Sequence, residues 1–359
     1  MAHVFVAPHP DDAALSCGGL IASLRELGQN VTILTVFSGS GNGSMTGYQR
    51  EALGFGTKTL WPVSEAFNRA DILADVPVFD DPERPPPWAA TSDRLDATQE
   101  DADQSAKRFW QRSSWYRRAS IRNKALAGQV LVDDIPTQGA VYTDEIMEAA
   151  GAGEAMAMRR IEDERFAHFS EASVVFLDLP DAVFRGYEGD DELLGVPRED
   201  DSTPIGILRR EIARLEPQKV YVPLGVGNHV DHQLCREAGI ALLGDRAQWV
   251  MPGPDWTGQV VFYEDFPYSL WTGFDNLEQL PEGSLDGLPN DVLLTPHYAD
   301  VTDQMERKVR GIGLYESQLD RLFGGKQQMA AAVRRHGSRL AGLGGISGAA
   351  ERYWEIYRP

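Results

Sequence analysis

The stretch PHPDDAALSCGG (8–19) places His9, Asp11 and Asp12 within four positions, directly after the apolar run HVFVA (3–7). A second group, GVGNHVDHQ (225–233), carries His229, Asp231 and His232. Two imidazoles and one carboxylate make a good divalent-metal set with positions left open for water. A carboxylate left over can serve as a base. Taken singly, each group is weak. Asp12 alone reads as a helix cap, and two histidines three apart at a helix start read as a surface pair. The chemistry requires that both groups close on one cation.

The elements that must position them are legible in the residue pattern. HVFVA reads as a short buried strand. Asp11 or Asp12 is placed to cap the helix that follows, in which Leu20, Ile21, Leu24 and Leu27 recur at helical spacing before Gly28. NVTILTVFSG (30–39) is a second buried strand. Further on come a helix (158–169), a strand (173–181), a helix (204–215), a strand (219–225), a helix (230–243), a strand (259–266) and a helix over 301–323 softened near Gly311 and Gly313. Alternating strands and helices predict an α/β fold with a mostly parallel sheet and helices on both faces. In such sheets ligands bind beyond the carboxyl ends of strands where the strand order reverses. An order 3-2-1-4-5 would make the first and fourth strands neighbours at that point, and both histidine groups would share one crevice. From about 40 to 155 the alternation breaks, and this stretch is read as a long irregular and helical insertion in a single domain spanning 1–359.

Bulk composition narrows the function. The chain has 359 residues, 42% hydrophobic and 25% charged, which supports a sizeable core. A formal charge of −20 argues against a nucleic-acid backbone or an anionic membrane as partner. Cys17 and Cys235 each fall in a predicted helix and read as buried small hydrophobes. No signal peptide or membrane span is visible, so a cytoplasmic protein is the expectation.

The paired motifs PHPDD (8–12) and HVDH (229–232) resemble the PIG-L/LmbE-like zinc-dependent N-deacetylases, with their His-Pro-Asp-Asp after the first strand and a later His-x-x-His. RRIEDER (159–165), DLPDAVFRG (178–186), FYEDFPYS (262–269) and ERYW (351–354) look similar too. The resemblance implies a Rossmann-like fold that removes the N-acetyl group of a small-molecule sugar or sugar conjugate, such as an N-acetylglucosaminyl compound. It implies zinc, or another divalent cation, as cofactor. His9, Asp12 and His232 match the metal ligands and Asp11 the general base. His229 matches the histidine that stabilises the oxyanion, best as imidazolium, and Asp231 the carboxylate that orients it. Arg185 sits where members often have a substrate-contacting arginine. Two departures stand out. Ala13 replaces the Glu that many members place after the aspartates. Gly227 stands where some sugar-thiol members have a tyrosine.

Other features are read more plainly. KRFWQRSSWYRRASIRNK (107–124) reads as an amphipathic helix docked by its aromatics, as a lid over the substrate, or as a contact with a partner. GSGNGS (39–44) lacks a phosphate-loop lysine and reads as a loop near the site. His3, His168, His297 and His336 have no partner motif. The insertion fits a substrate larger than a monosaccharide, or a contact with a second subunit. Two rival functions stay open on residue pattern alone. One is a non-haem iron oxygenase built on His229-x-Asp231; the other is a binding module that has kept the fold without the reaction.

Overall fold

In the computed structural model the described residues are 1–41, 43–55, 150–244 and 259–357. Seven strands form one sheet: β1 Ala2–Ala7, β2 Asn30–Thr35, β3 Ser173–Phe176, β4 Lys219–Pro223, β5 Val260–Tyr263, β6 Leu293–Asp300 and β7 Ala350–Tyr357. Their order is β3-β2-β1-β4-β5-β7-β6. The first five pair in parallel, whereas β7 runs antiparallel to both β5 and β6. The order reverses between β1 and β4, as the alternation predicts.

The helices are α1 Asp12–Glu26, α2 Gly47–Ala52, α3 Ala152–Phe169, α4 Asp190–Leu193, α5 Thr203–Leu215, α6 Val230–Gly244, α7 Tyr268–Thr272, α8 Met305–Ile312, α9 Glu316–Phe323 and α10 Lys326–Gly344. In β1 the apolar run has no polar face. Phe5 and Ala7 enter one core, with Ile33, Tyr221 and Tyr263 and with residues of α1, α8, α9 and α10. Val4 and Val6 enter another, with Val220, Val222 and Phe262 and with Leu208 and Ile212 of α5 and Leu234 and Ala238 of α6. This is the signature of a parallel strand covered on both sides. Each Leu or Ile buried there contributes about 1.5–3 kcal/mol. A Cβ at Gly239 would lie 2.7 Å from Val222 Cγ2, so the bare glycine lets α6 lie close on β4. That contact sets the height of His232 at the other end of the helix. Cys17 and Cys235 are both buried and reduced.

Several expectations need adjusting. The helix expected over 301–323 is divided into α8 and α9, with the break at Gly313–Tyr315. The third and fifth strands end at Phe176 and Tyr263, short of the expected bounds, and beyond them Asp181 and Asp265 reach the site. The antiparallel pair β6–β7 and the long α10 were not separated by the pattern at all. Much of the insertion, including 107–124, lies outside the described residues, which all belong to one compact unit. Among the described residues no helix is long and apolar enough to cross a membrane.

Candidate active site

Both histidine groups begin on strained backbone. After β1 the chain turns through Asp11, whose φ is 115°, a value L-residues rarely adopt. Asp11 occupies the N-cap position of α1 but makes no side-chain cap bond. Asp12 does not cap the helix either; its Oδ2 accepts from the His9 backbone N–H at 2.8 Å. The capping expected of these aspartates is therefore absent, and both carboxylates are left for the cavity. The second group follows the turn after β4, where Asn228 has φ 61°. Such strain persists where surrounding structure over-determines it, commonly at functional sites. Here Asp265, just beyond β5, fixes the turn: its Oδ2 accepts from Gly225 N–H at 2.8 Å and Val226 N–H at 3.0 Å.

The two groups meet. Ring centroids lie 4.8 Å apart for His9 and His229, 5.4 Å for His9 and His232, and 5.4 Å for His229 and His232. The candidate ligand atoms of His9, Asp12 and His232 all fall within 4.8 Å of one another, and so do those of His9, His229 and Asp231. His232 Nδ1 sits 2.7 Å from Asp265 Oδ1, which accepts a hydrogen bond from Nδ1–H and so favours the lone pair on Nε2. That Nε2 is buried, has no hydrogen-bond partner, and lies 3.4 Å from Asp12 Oδ2. His9 repeats the arrangement, with Nδ1 3.3 Å from Asp12 Oδ2 and Nε2 3.0 Å from Asp231 Oδ2. An imidazole backed by a carboxylate, with its other nitrogen turned to a second carboxylate, is the usual form of a metal-ligating histidine. The donor set His9, Asp12 and His232 thus fits a divalent cation.

Charge points the same way. Burial alone would lower the His9 pKa, yet Asp181, Asp12 and Asp231 overcome it and raise it to about 10. His232 is raised against burial by Asp12 and Asp265. Asp12 is lowered against burial, chiefly by His232 and His9, and Asp231 chiefly by Arg185. The carboxylates call for positive charge between them, and a cation answers the same demand. Asp11 differs: burial pushes its pKa up to about 7, with Arg159 opposing.

Two expected partnerships are corrected. The Asp231 carboxylate does not reach His229. It accepts from Ala182 N–H at 3.0 Å and Arg185 Nη2 at 2.5 Å, and it backs His9. Only the Asp231 backbone touches His229, donating its N–H to Nδ1 at 3.2 Å. His229 is therefore a neutral imidazole with its proton on Nε2, and burial, then His9, pushes its pKa well below 6.5. The imidazolium expected there is not what this environment favours. Arg185, read from sequence as a substrate contact, gives its donors to Asp201, Asp231 and Pro180 O.

Residue-type reasoning passed over four side chains that line or support the cavity. Asp181 lies 3.5 Å from His9 Nε2. Arg159 donates to Pro10 O at 3.1 Å and approaches Asp11 at 3.6 Å. Asp265 holds His232, and Tyr268 joins His9, Asp11, Asp12 and His229 around a cavity of about 30 Å³. All four fall inside stretches already marked as similar to the deacetylases, but nothing in the pattern says which way they point. Replacing Asp265 with Ala should weaken the binding of a divalent cation about 10- to 100-fold by freeing the His232 ring. Competition against a chelating dye measures this, and unchanged affinity would mean that His232 is oriented by other means.

Residues 4–73 match the family model for PIG-L, GlcNAc-PI de-N-acetylase. The matched segment contains the whole first half-site, and the second lies beyond it. The chain is also 29% identical over 179 residues to 2'-N-acetylparomamine deacetylase of Streptomyces fradiae, an overlap of 48% of this chain and 58% of that protein. It thus spans less than two thirds of that relative. The zinc-inhibited form of teicoplanin deacetylase Orf2 shares the fold at TM-score 0.58 and 16% identity, covering 100% of this chain and 99% of the other. The A40926 pseudoaglycone deacetylase Dbv21 does so at TM-score 0.55 and 18% identity, covering 99% and 97%. These likenesses span the PIG-L segment and the second half-site on one architecture.

Proposed function

We propose that this protein is a metal-dependent N-deacetylase that hydrolyses the N-acetyl group of an amino sugar or a sugar conjugate. The observation that carries the reading is the convergence of His9, Asp12 and His232 on one point, with the Asp11 carboxylate beside it in the same cavity and outside the ligand set. The similarity to a sugar N-deacetylase and the PIG-L match support the same class of reaction. Zinc suits a two-imidazole, one-carboxylate set with open positions. When bound, a zinc ion lowers the pKa of water to roughly 7 and polarises an acyl oxygen.

The chain supplies the rest. Asp11 takes a proton as water adds to the acetyl carbon. His229, its Nδ1 engaged by the Asp231 N–H, directs its Nε2–H to the oxygen on which negative charge develops. The carbon–nitrogen bond then breaks, the proton held by Asp11 passes to the departing nitrogen, and acetate and a free amine leave. Asp231 and Asp265 keep the His9 and His232 rings in register. The iron-oxygenase alternative needs Asp231 as a ligand, but its two oxygens already serve Arg185, His9 and Ala182.

Acetate release from a panel of N-acetylglucosaminyl conjugates tests the proposal. Activity should vanish when metal is stripped with dipicolinate and return on adding zinc. Turnover that persists in demonstrably metal-free protein, or zinc-loaded protein inert across the panel, defeats it.

A further inference from the structure

We propose that Tyr268 is a further catalytic residue, its phenol donating a hydrogen bond to the acyl oxygen while water adds to the acyl carbon. This rests on the deacetylase reading above. Tyr268 opens α7, three residues after the aspartate that holds His232. It reaches the cavity from the β5 side, whereas His229 reaches it from the β4 side. Its ring is fixed edge-on against His232, centroids 5.3 Å apart at 74°, and against Trp271, 5.4 Å at 76°.

The space it fills is made by a glycine. Gly227 has φ +89°, and a Cβ built there would lie 2.7 Å from Tyr268 Cδ1, 2.8 Å from Cβ and 2.9 Å from Cγ. Any side chain at 227 would collide with the tyrosine ring. The glycine and the tyrosine are thus matched, although 41 positions apart. Asp265 secures the match, because it binds the backbone of Gly225 and Val226 on one turn and is continuous with Tyr268 on the other. An ordinary phenol, with pKa about 10, keeps its proton at neutral pH. Among the acidic side chains lining the cavity, Asp11, Asp12 and Asp181 cannot donate to a developing oxyanion when ionised. Tyr268 supplies a neutral O–H there. In the balanced step, water adds its oxygen to the acyl carbon and gives a proton to Asp11. Tyr268 shares its hydrogen but transfers none, and that proton leaves with the amine.

Tyr268→Phe keeps the ring and both edge contacts, so zinc content and thermal stability should stay at wild-type values. Its kcat should fall about 100-fold with KM unchanged, the loss expected for one oxyanion donor. The affinity of N-(methylphosphonyl)glucosamine, a tetrahedral mimic of the hydrated acyl group, should fall by a similar factor, while glucosamine binding stays the same. A Tyr268→Phe protein with wild-type kcat and analogue affinity overturns the proposal while leaving the deacetylase reading intact. Loss of zinc in that variant also overturns it, by showing that the residue only supports His232. Zinc-loaded wild-type protein that releases no acetate overturns both.

Discussion

Asp11→Asn is expected to lower kcat for acetate release by about 100- to 10,000-fold, the usual span for losing a general base, with bound zinc unchanged. The substitution is a clean one for physical reasons. Asn tolerates positive φ better than most residues, so the φ of 115° at this position persists. No cap bond is lost, because Asp11 makes none. The amide keeps the volume of the carboxyl but cannot accept a proton. Asp12, not Asp11, is the carboxylate within reach of both His9 Nδ1 and His232 Nε2. Kinetics and elemental analysis on the same preparation decide the matter. Wild-type turnover removes Asp11 from the mechanism, and parallel loss of zinc and activity makes it a ligand instead.

Arg185→Ala should destabilise the zinc-loaded protein by about 3–5 kcal/mol, the cost of removing one partner from a buried ion pair. The Asp231 side chain is 0% exposed and the Arg185 side chain 13%. Arg185 bridges Asp231 at 2.5 Å and Asp201 at 2.8 Å, donates to Pro180 O at 2.6 Å and lies 4.6 Å over the Phe37 ring. Without it Asp231 keeps only Ala182 N–H and His9, and the buried charge is under-compensated. Arg185→Lys restores the charge but not the planar fork, so it should recover part of the loss. Urea denaturation measures both variants. If Arg185→Ala unfolds at the wild-type midpoint and only raises KM, the arginine is a substrate contact, as its place in the sequence first implied.

The proposed general base and metal set were legible as candidates because each sits at a punctuated strand end. PHPDD follows an unbroken apolar run, and HVDH follows KVYVP, so strand order alone brings them together. Less of the site's wiring was legible. Asp231 lies two positions from His229, which invites pairing them, yet residues two apart on a helix do not face each other. The Asp231 side chain turns instead to His9, 222 positions away. Asp265 lies within FYEDFPYS, but nothing in that stretch pairs it with His232, and its value comes from β5 lying beside β4. The β6 strand was missed because LLTPHYAD at the sheet edge is largely exposed and contains a proline, so it lacks the apolar pattern of a covered strand.

The sequence by itself determined the residue types, the strand-and-helix alternation and hence the crevice in which two histidine groups must meet. Tertiary structure alone decided which carboxylate backs which ring, and that Tyr268 occupies the room left by Gly227. The reason is directional. Hydrophobic patterning specifies faces and ends, to which burial responds. Hydrogen bonds and lone pairs depend on angles set by the turns at Asp11, Asn228 and Asp265, and those angles exist only once the sheet has brought three separate strand ends together.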